Sequence, residues 1–202
     1  MRNWEFLLFT AVVVPLVACA QGMGGAPRAT AGAGAGAMVK LMTPQGEPAG
    51  QAVLTTVPDG VEIVMNVEKL TPGLHGFHIH AQGSCAPGPD ATGKTVDFGA
   101  AGGHFDPLGS KQHGHPEHGT VRHAGDAPNL MADAQGKASL RTTNSMVTLL
   151  PGASSVIGKA LVVHADPDDY KTNPAGNSGA RVLCGVIEAA RLDAVVGRTT
   201  QR

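Results

Sequence analysis

The sequence predicts an all-β domain, a sandwich or flattened barrel of about eight short strands. Three observations predict it. Short runs with a two-residue apolar alternation recur between turn signals such as Pro58-Asp59-Gly60, Ala134-Gln135-Gly136 and Pro151-Gly152. No long amphipathic helix interrupts them. Aromatic residues make up only 3% of the chain against 42% hydrophobic residues, so Val, Leu, Ile and Ala must fill the core.

The first residues read as a targeting segment. Arg2 gives a basic start, Phe6 to Val17 is an apolar run too short to span a bilayer, and small residues close it. Residues 1–18 are therefore expected to be a signal peptide. Leu16-Val17-Ala18-Cys19 resembles a bacterial lipobox, which would make Cys19 a lipidated first residue and the only link to a membrane. Residues 19–37, rich in Gly and Ala, cannot bury enough apolar area to offset the entropy of ordering and read as a flexible tether. The domain is expected over 38–191, with a disordered tail at 192–202. Net charge is −1 with no basic block, which argues against nucleic acid as a partner.

Within the domain, Met38–Met42, Gln51–Val57 and Gly60–Val67 read as strands. In the third, Val61, Ile63, Met65 and Val67 share one face. Leu74 to His80 is the next extended run. Its alternation sets His78 and His80 on one side and Phe77 and Ile79 on the other, so two imidazoles can chelate one ion from a rigid strand. His75 has the opposite parity and reads as a turn or supporting residue. Asn129–Asp133, Lys137–Thr142, Val147–Leu150, Ala160–His164 and Val182–Ile187 complete the set, with His164 at the mouth of a loop.

Three long loops separate these runs, and the chemistry concentrates in one. Gly102 to Asp126 carries five of the nine histidines, His104, His113, His115, His118 and His123, together with Asp106 and Asp126. Its Gly and Pro content excludes a helix. Imidazole and carboxylate are donors that zinc and copper accept, and His123-Ala-Gly-Asp126 can close on one ion through a tight turn. Of the three cysteines, Cys19 belongs to the proposed anchor. Cys85 and Cys184 remain as an even pair, which in an exported protein reads as a disulfide, with two separate buried thiols as the alternative.

Five segments resemble, in order, the motifs of the copper–zinc superoxide dismutase family in its bacterial exported form. They are Gly76-Phe-His-Ile-His80, Gly103-His-Phe-Asp-Pro107, Arg122-His-Ala-Gly-Asp126, Leu161-Val-Val-His164 and Gly179-Ala-Arg-Val-Leu-Cys-Gly-Val-Ile187. The resemblance implies an eight-stranded Greek-key β-sandwich with long metal-binding and electrostatic loops. It implies copper on His78, His80, His104 and His164, and zinc on His104, His113, His123 and Asp126, with His104 bridging the two. Asp168 matches an aspartate that joins ligands of both metals, Arg181 an anion-guiding arginine, and Cys85 with Cys184 the family disulfide. Lys171 is a candidate for steering.

The first zinc histidine of the family is followed by x-x-Pro, which selects His113. The segment up to His123 is longer than in similar sequences, so His115 and His118 stand as alternatives. The implied reaction is dismutation of superoxide to oxygen and hydrogen peroxide by a redox-cycling copper bridged to a structural zinc. The implied setting is the periplasm or cell envelope, where it would protect against extracytoplasmic superoxide, as a monomer or homodimer.

Overall fold

A computed structural model describes residues 36–90 and 92–190. The signal, most of the tether, Cys19 and the tail lie outside them. The strands are β1 (Gly36–Met42), β2 (Pro48–Val57), β3 (Gly60–Val67), β4 (Gly73–His75), β5 (Phe77–His80), β6 (Gly88–Pro89), β7 (Thr95–Val96), β8 (Leu130–Ala132), β9 (Ala138–Asn144), β10 (Ala160–His164), β11 (Arg181–Val186) and β12 (Glu188–Ala189). There is no α-helix among the described residues, only a short 3-10 turn at Gly99–Ala101.

One antiparallel sheet runs in the order β4-β8-β9-β3-β2-β1-β11-β10-β5, with β12 added to β1. Its two ends, β4 and β5, are neighbours in sequence with only Gly76 between them, so the sheet curls into a nearly closed barrel. Here the structure corrects the reading of Leu74–His80 as one run. The Gly76 N–H donates to the Asp166 carbonyl, and the Gly76 carbonyl accepts from His164 N–H. A Cβ at Gly76 would stand 2.9 Å from the Ser178 Cβ, so the crossing point has no room for a side chain. Val147–Leu150 also departs from its predicted strand. Val147 and Leu149 are buried as the alternation demands, but the segment makes only a single bridge, Thr148 to Ser155. The strand count therefore exceeds eight, through the split at Gly76 and the short β6, β7 and β12.

The core lies inside the barrel. Val39 and Leu41 of β1, Val61, Ile63 and Met65 of β3, and Phe77, Ile79, Leu161, Val163 and Leu183 fill it. Full burial of each such side chain stabilises by about 1.5–3 kcal/mol before entropy is counted. Because Phe77 and Ile79 point inward, His78 and His80 face the other side of β5, against β10 and the loop.

Two attachments hold the loops on that side. The Cys85–Cys184 disulfide ties the segment after β5 to β11 across 99 residues of sequence, which by loop-closure entropy contributes about 4–5 kcal/mol. The histidine-rich loop returns twice to the open edge of β5: Phe105 N–H donates to the Ile79 carbonyl, and Ile79 N–H donates to the Gly125 carbonyl. His104 thereby bridges to His80, and Asp126 to His78.

Candidate metal centre

These backbone contacts bring two donor sets together. His78, His80, His104 and His164 offer one donor atom each within 4.8 Å of one another. His80 Nε2 and His164 Nε2 lie 3.4 Å apart. His78 Nδ1 and His104 Nε2 are buried and have no hydrogen-bond partner. The four imidazoles thus share one space, and two of their nitrogens there have no partner.

The second set forms around one oxygen. Asp126 Oδ1 is 2.9 Å from His104 Nδ1, 3.0 Å from His113 Nδ1 and 3.4 Å from His123 Nδ1. His78 also comes within 4.8 Å of His104, His113 and Asp126. His123 reaches Asp126 but does not enter this group of four. His78 and His104 are common to both sets, and His104 turns Nδ1 to Asp126 while its Nε2 has no partner.

His113 is buried in this cluster, whereas His115 and His118 lie on the outer part of the loop, His118 exposed. His113 is fixed by three contacts: its N–H donates to Asn173 Oδ1, Nδ1 faces Asp126, and Nε2 is 2.7 Å from Asp168 Oδ1. Asp168 Oδ2 is equally close to His78 Nε2, so this one carboxylate spans a residue of each set. Asn129 holds Asp168 in turn, accepting from its N–H and donating to its carbonyl.

Electrostatics follow from burial. Desolvation, reinforced by neighbouring imidazoles, drives His78 and His80 far below the ordinary histidine range, and lowers His164 to about 3. These rings are neutral at physiological pH, with lone pairs available. His113 is the exception. Burial opposes its charge, but the carboxylates of Asp126 and Asp168 outweigh that and raise it to about 9. Asp126, also penalised by burial, is held far below the usual carboxylate range by its three histidine contacts.

Arg181 stands opposite His164 in the β10–β11 register. Its guanidinium donates to the carbonyls of Phe98 and Gly102, both at 2.7 Å. The same Gly102 carbonyl accepts from His80 Nδ1 at 2.8 Å, so cation and imidazole share one anchor. A cavity of 260 Å³ lies over this edge, lined by His80, His104, His164, Ala175 and Arg181. A wider opening beyond it is lined by Asp90, Lys94 and Arg181. Lys171 is exposed and lines neither.

A description of the Copper/zinc superoxide dismutase (SODC) family matches residues 48–187. The chain belongs to this family. Superoxide dismutase [Cu-Zn] of Deinococcus radiodurans is 43% identical over 150 residues, covering 74% of this chain and 82% of the relative. The solved Cu/Zn superoxide dismutase from Brucella abortus superposes with a TM-score of 0.66 at 41% identity, over 76% of this chain and 99% of that one. A SOD-like protein from Bacillus subtilis gives 0.64 at 35%, over 74% and 96%.

Copper and zinc are the metals of the family, and the donors fit them. An all-imidazole set suits copper, and a histidine–aspartate set suits zinc. The unpartnered buried nitrogens of His78, His104 and His123 are what such ions would satisfy.

Several supporting residues escaped the sequence reading. Asn129 reads as the first residue of a strand and Asn173 as loop, and the Gly102 carbonyl leaves no side-chain signature at all. Arg122 is buried, its guanidinium donating to the carbonyls of Pro116, His123 and Asp126. His75, expected as a supporting residue, places Nδ1 2.8 Å from the His164 carbonyl oxygen and Nε2 2.7 Å from that of Thr71.

Proposed function

We infer that this protein dismutates superoxide in the cell envelope, with copper held by His78, His80, His104 and His164, and zinc by His104, His113, His123 and Asp126. The observation that carries the reading is His104, whose Nδ1 faces Asp126 while its buried Nε2 has no protein partner beside the other three imidazoles.

When bound, copper supplies a one-electron couple able to oxidise one superoxide and reduce the next, while zinc supplies a fixed charge without redox change. The chain supplies the rest. With zinc on Nδ1, His104 would hold a proton at Nε2, next to the cavity where a reduced anion would need it. Arg181, kept in place by Phe98 and Gly102, binds the anion at the cavity wall and disfavours neutral competitors. Asp168 keeps His78 and His113 in the ring orientations their donor roles require.

Cys19, by its lipobox-like context, anchors the mature chain to the membrane, and residues 19–37 tether the domain to it. Loss of superoxide after pulse radiolysis tests the activity. Metal-loaded protein should accelerate it steeply and chelator-stripped protein should not, and a loaded protein without effect would sink the reading. For the anchor, Cys19→Ser should move the protein from the membrane fraction to the soluble one.

A further inference from the structure

Two histidines of the loop take no part in the centre described above. The rings of His115 and His118 lie with centroids 4.6 Å apart and planes 33° from each other. A turn holds them so: His118 N–H donates to the His115 carbonyl at 3.0 Å, with Pro116 restricting the backbone between. Tyr170 stands edge-on behind His115, its centroid 4.4 Å away. Burial raises the Tyr170 phenol, against the Asn129 N–H that donates to its oxygen.

Packing does not account for the arrangement. Two tilted imidazoles at a surface bury little apolar area. Among the described residues, no carboxylate forms an ion pair with either ring. One weak bond is made, from Glu117 N–H to His115 Nδ1 at 3.2 Å. That leaves His115 Nε2 and both nitrogens of His118 without a protein partner among the described residues. Paired imidazoles are donors that borderline divalent ions accept, with water in the remaining positions.

We propose that His115 and His118 form an accessory surface site for a divalent transition-metal ion, separate from the buried centre. Its few exposed ligands make it weaker than the buried sets, and copper(II) should bind it more tightly than zinc(II). The site lies on the same loop as His113, two residues on. The Gly114 N–H between them donates to Asp126 Oδ2 at 3.1 Å, so the accessory ion sits at the outer edge of a segment already anchored to the centre.

The test uses full-length protein with copper and zinc already filling the buried sets, dialysed against zinc(II) alone and followed by metal analysis. A third equivalent is expected at micromolar free zinc. In the double variant His115→Ala/His118→Ala it should vanish, with the first two equivalents unchanged. Should that variant also lose a buried ion, His118→Ala alone replaces it, since the exposed ring can be removed without disturbing His113. Titration with copper(II) should add a paramagnetic resonance signal coupled to imidazole nitrogen, and that signal too should be lost in the variant. A wild-type protein that takes no third equivalent, or a variant that takes it undiminished, overturns the proposal.

Discussion

His78 and Asp168 meet Nε2 to Oδ2 at 2.7 Å, and neither side chain reaches solvent. The other Asp168 oxygen makes the same contact with His113. A single carboxylate therefore orients one ring in each donor set and favours the tautomer that leaves the opposite nitrogen free for a metal. Asp168→Asn keeps the shape but loses the charge and one acceptor. Loss of such an outer partner typically costs about 10–100-fold in metal affinity. The larger loss should fall on zinc, because His113 depends on Asp168 and Asp126 together for its place. Competition with a zinc chelator would measure it; unchanged affinity would show that Asp168 only fills space.

Gly176 lies across this contact. Its φ is +62°, and a Cβ there would collide with the Asp168 carboxylate and stand 2.7 Å from His113 Nε2. Gly176→Ala should destabilise the metal-free protein by about 1–3 kcal/mol through backbone strain, with a further loss from displacing Asp168. Gly158→Ala is the control, since its φ of +75° faces open space. Thermal or denaturant unfolding of both variants separates strain from collision. Equal losses would mean that the Gly176 contact contributes nothing.

The legible part of this centre was the part written in side chains of one strand or one short motif. Parity on β5 separated His78 and His80 from Phe77 and Ile79, and the histidine-rich loop marked itself by composition. Other features depend on where distant segments meet. Gly76 reads as an ordinary strand residue until the closing of the sheet leaves it no room for a Cβ. The x-x-Pro spacing selects His113 but leaves His115 and His118 as alternatives; the fold buries His113 against Asp126 and Asp168 and leaves His118 exposed. Asn129 and the Gly102 carbonyl act through backbone contacts, for which a single sequence carries no signal.

Arg181 offers a test of charge against position. Arg181→Gln should lower the second-order rate with superoxide by about tenfold or more, since focusing by a cation at a cleft raises association rates by 10–10³. Its salt dependence should shrink as well, while copper content stays unchanged. Arg181→Lys keeps the charge but cannot serve the Phe98 and Gly102 carbonyls with one planar fork. An intermediate rate for Lys is therefore expected, with salt dependence retained. If Gln and Lys behave alike, the guanidinium geometry rather than the charge guides the anion.

The raised His113 and lowered His164 give the metal-free protein opposite pH sensitivities. His164 falls from 6.5 to about 3 on folding, so its contribution is complete above 6.5 and is lost as pH falls towards 3. His113 rises from 6.5 to about 9, so its contribution is complete below 6.5 and is lost as pH rises through 9. At pH 7.5 the His113 ring therefore still carries a proton that zinc must displace, while Asp126 is already ionised. Zinc uptake by the metal-free protein should release about one proton there, and apparent affinity should rise about tenfold per pH unit until near pH 9. Calorimetry in two buffers of different ionisation enthalpy counts that proton. If no proton is released at pH 7.5, either His113 is neutral before zinc arrives or it is not a zinc ligand, and the His113→Ala variant tells these apart by whether zinc affinity survives.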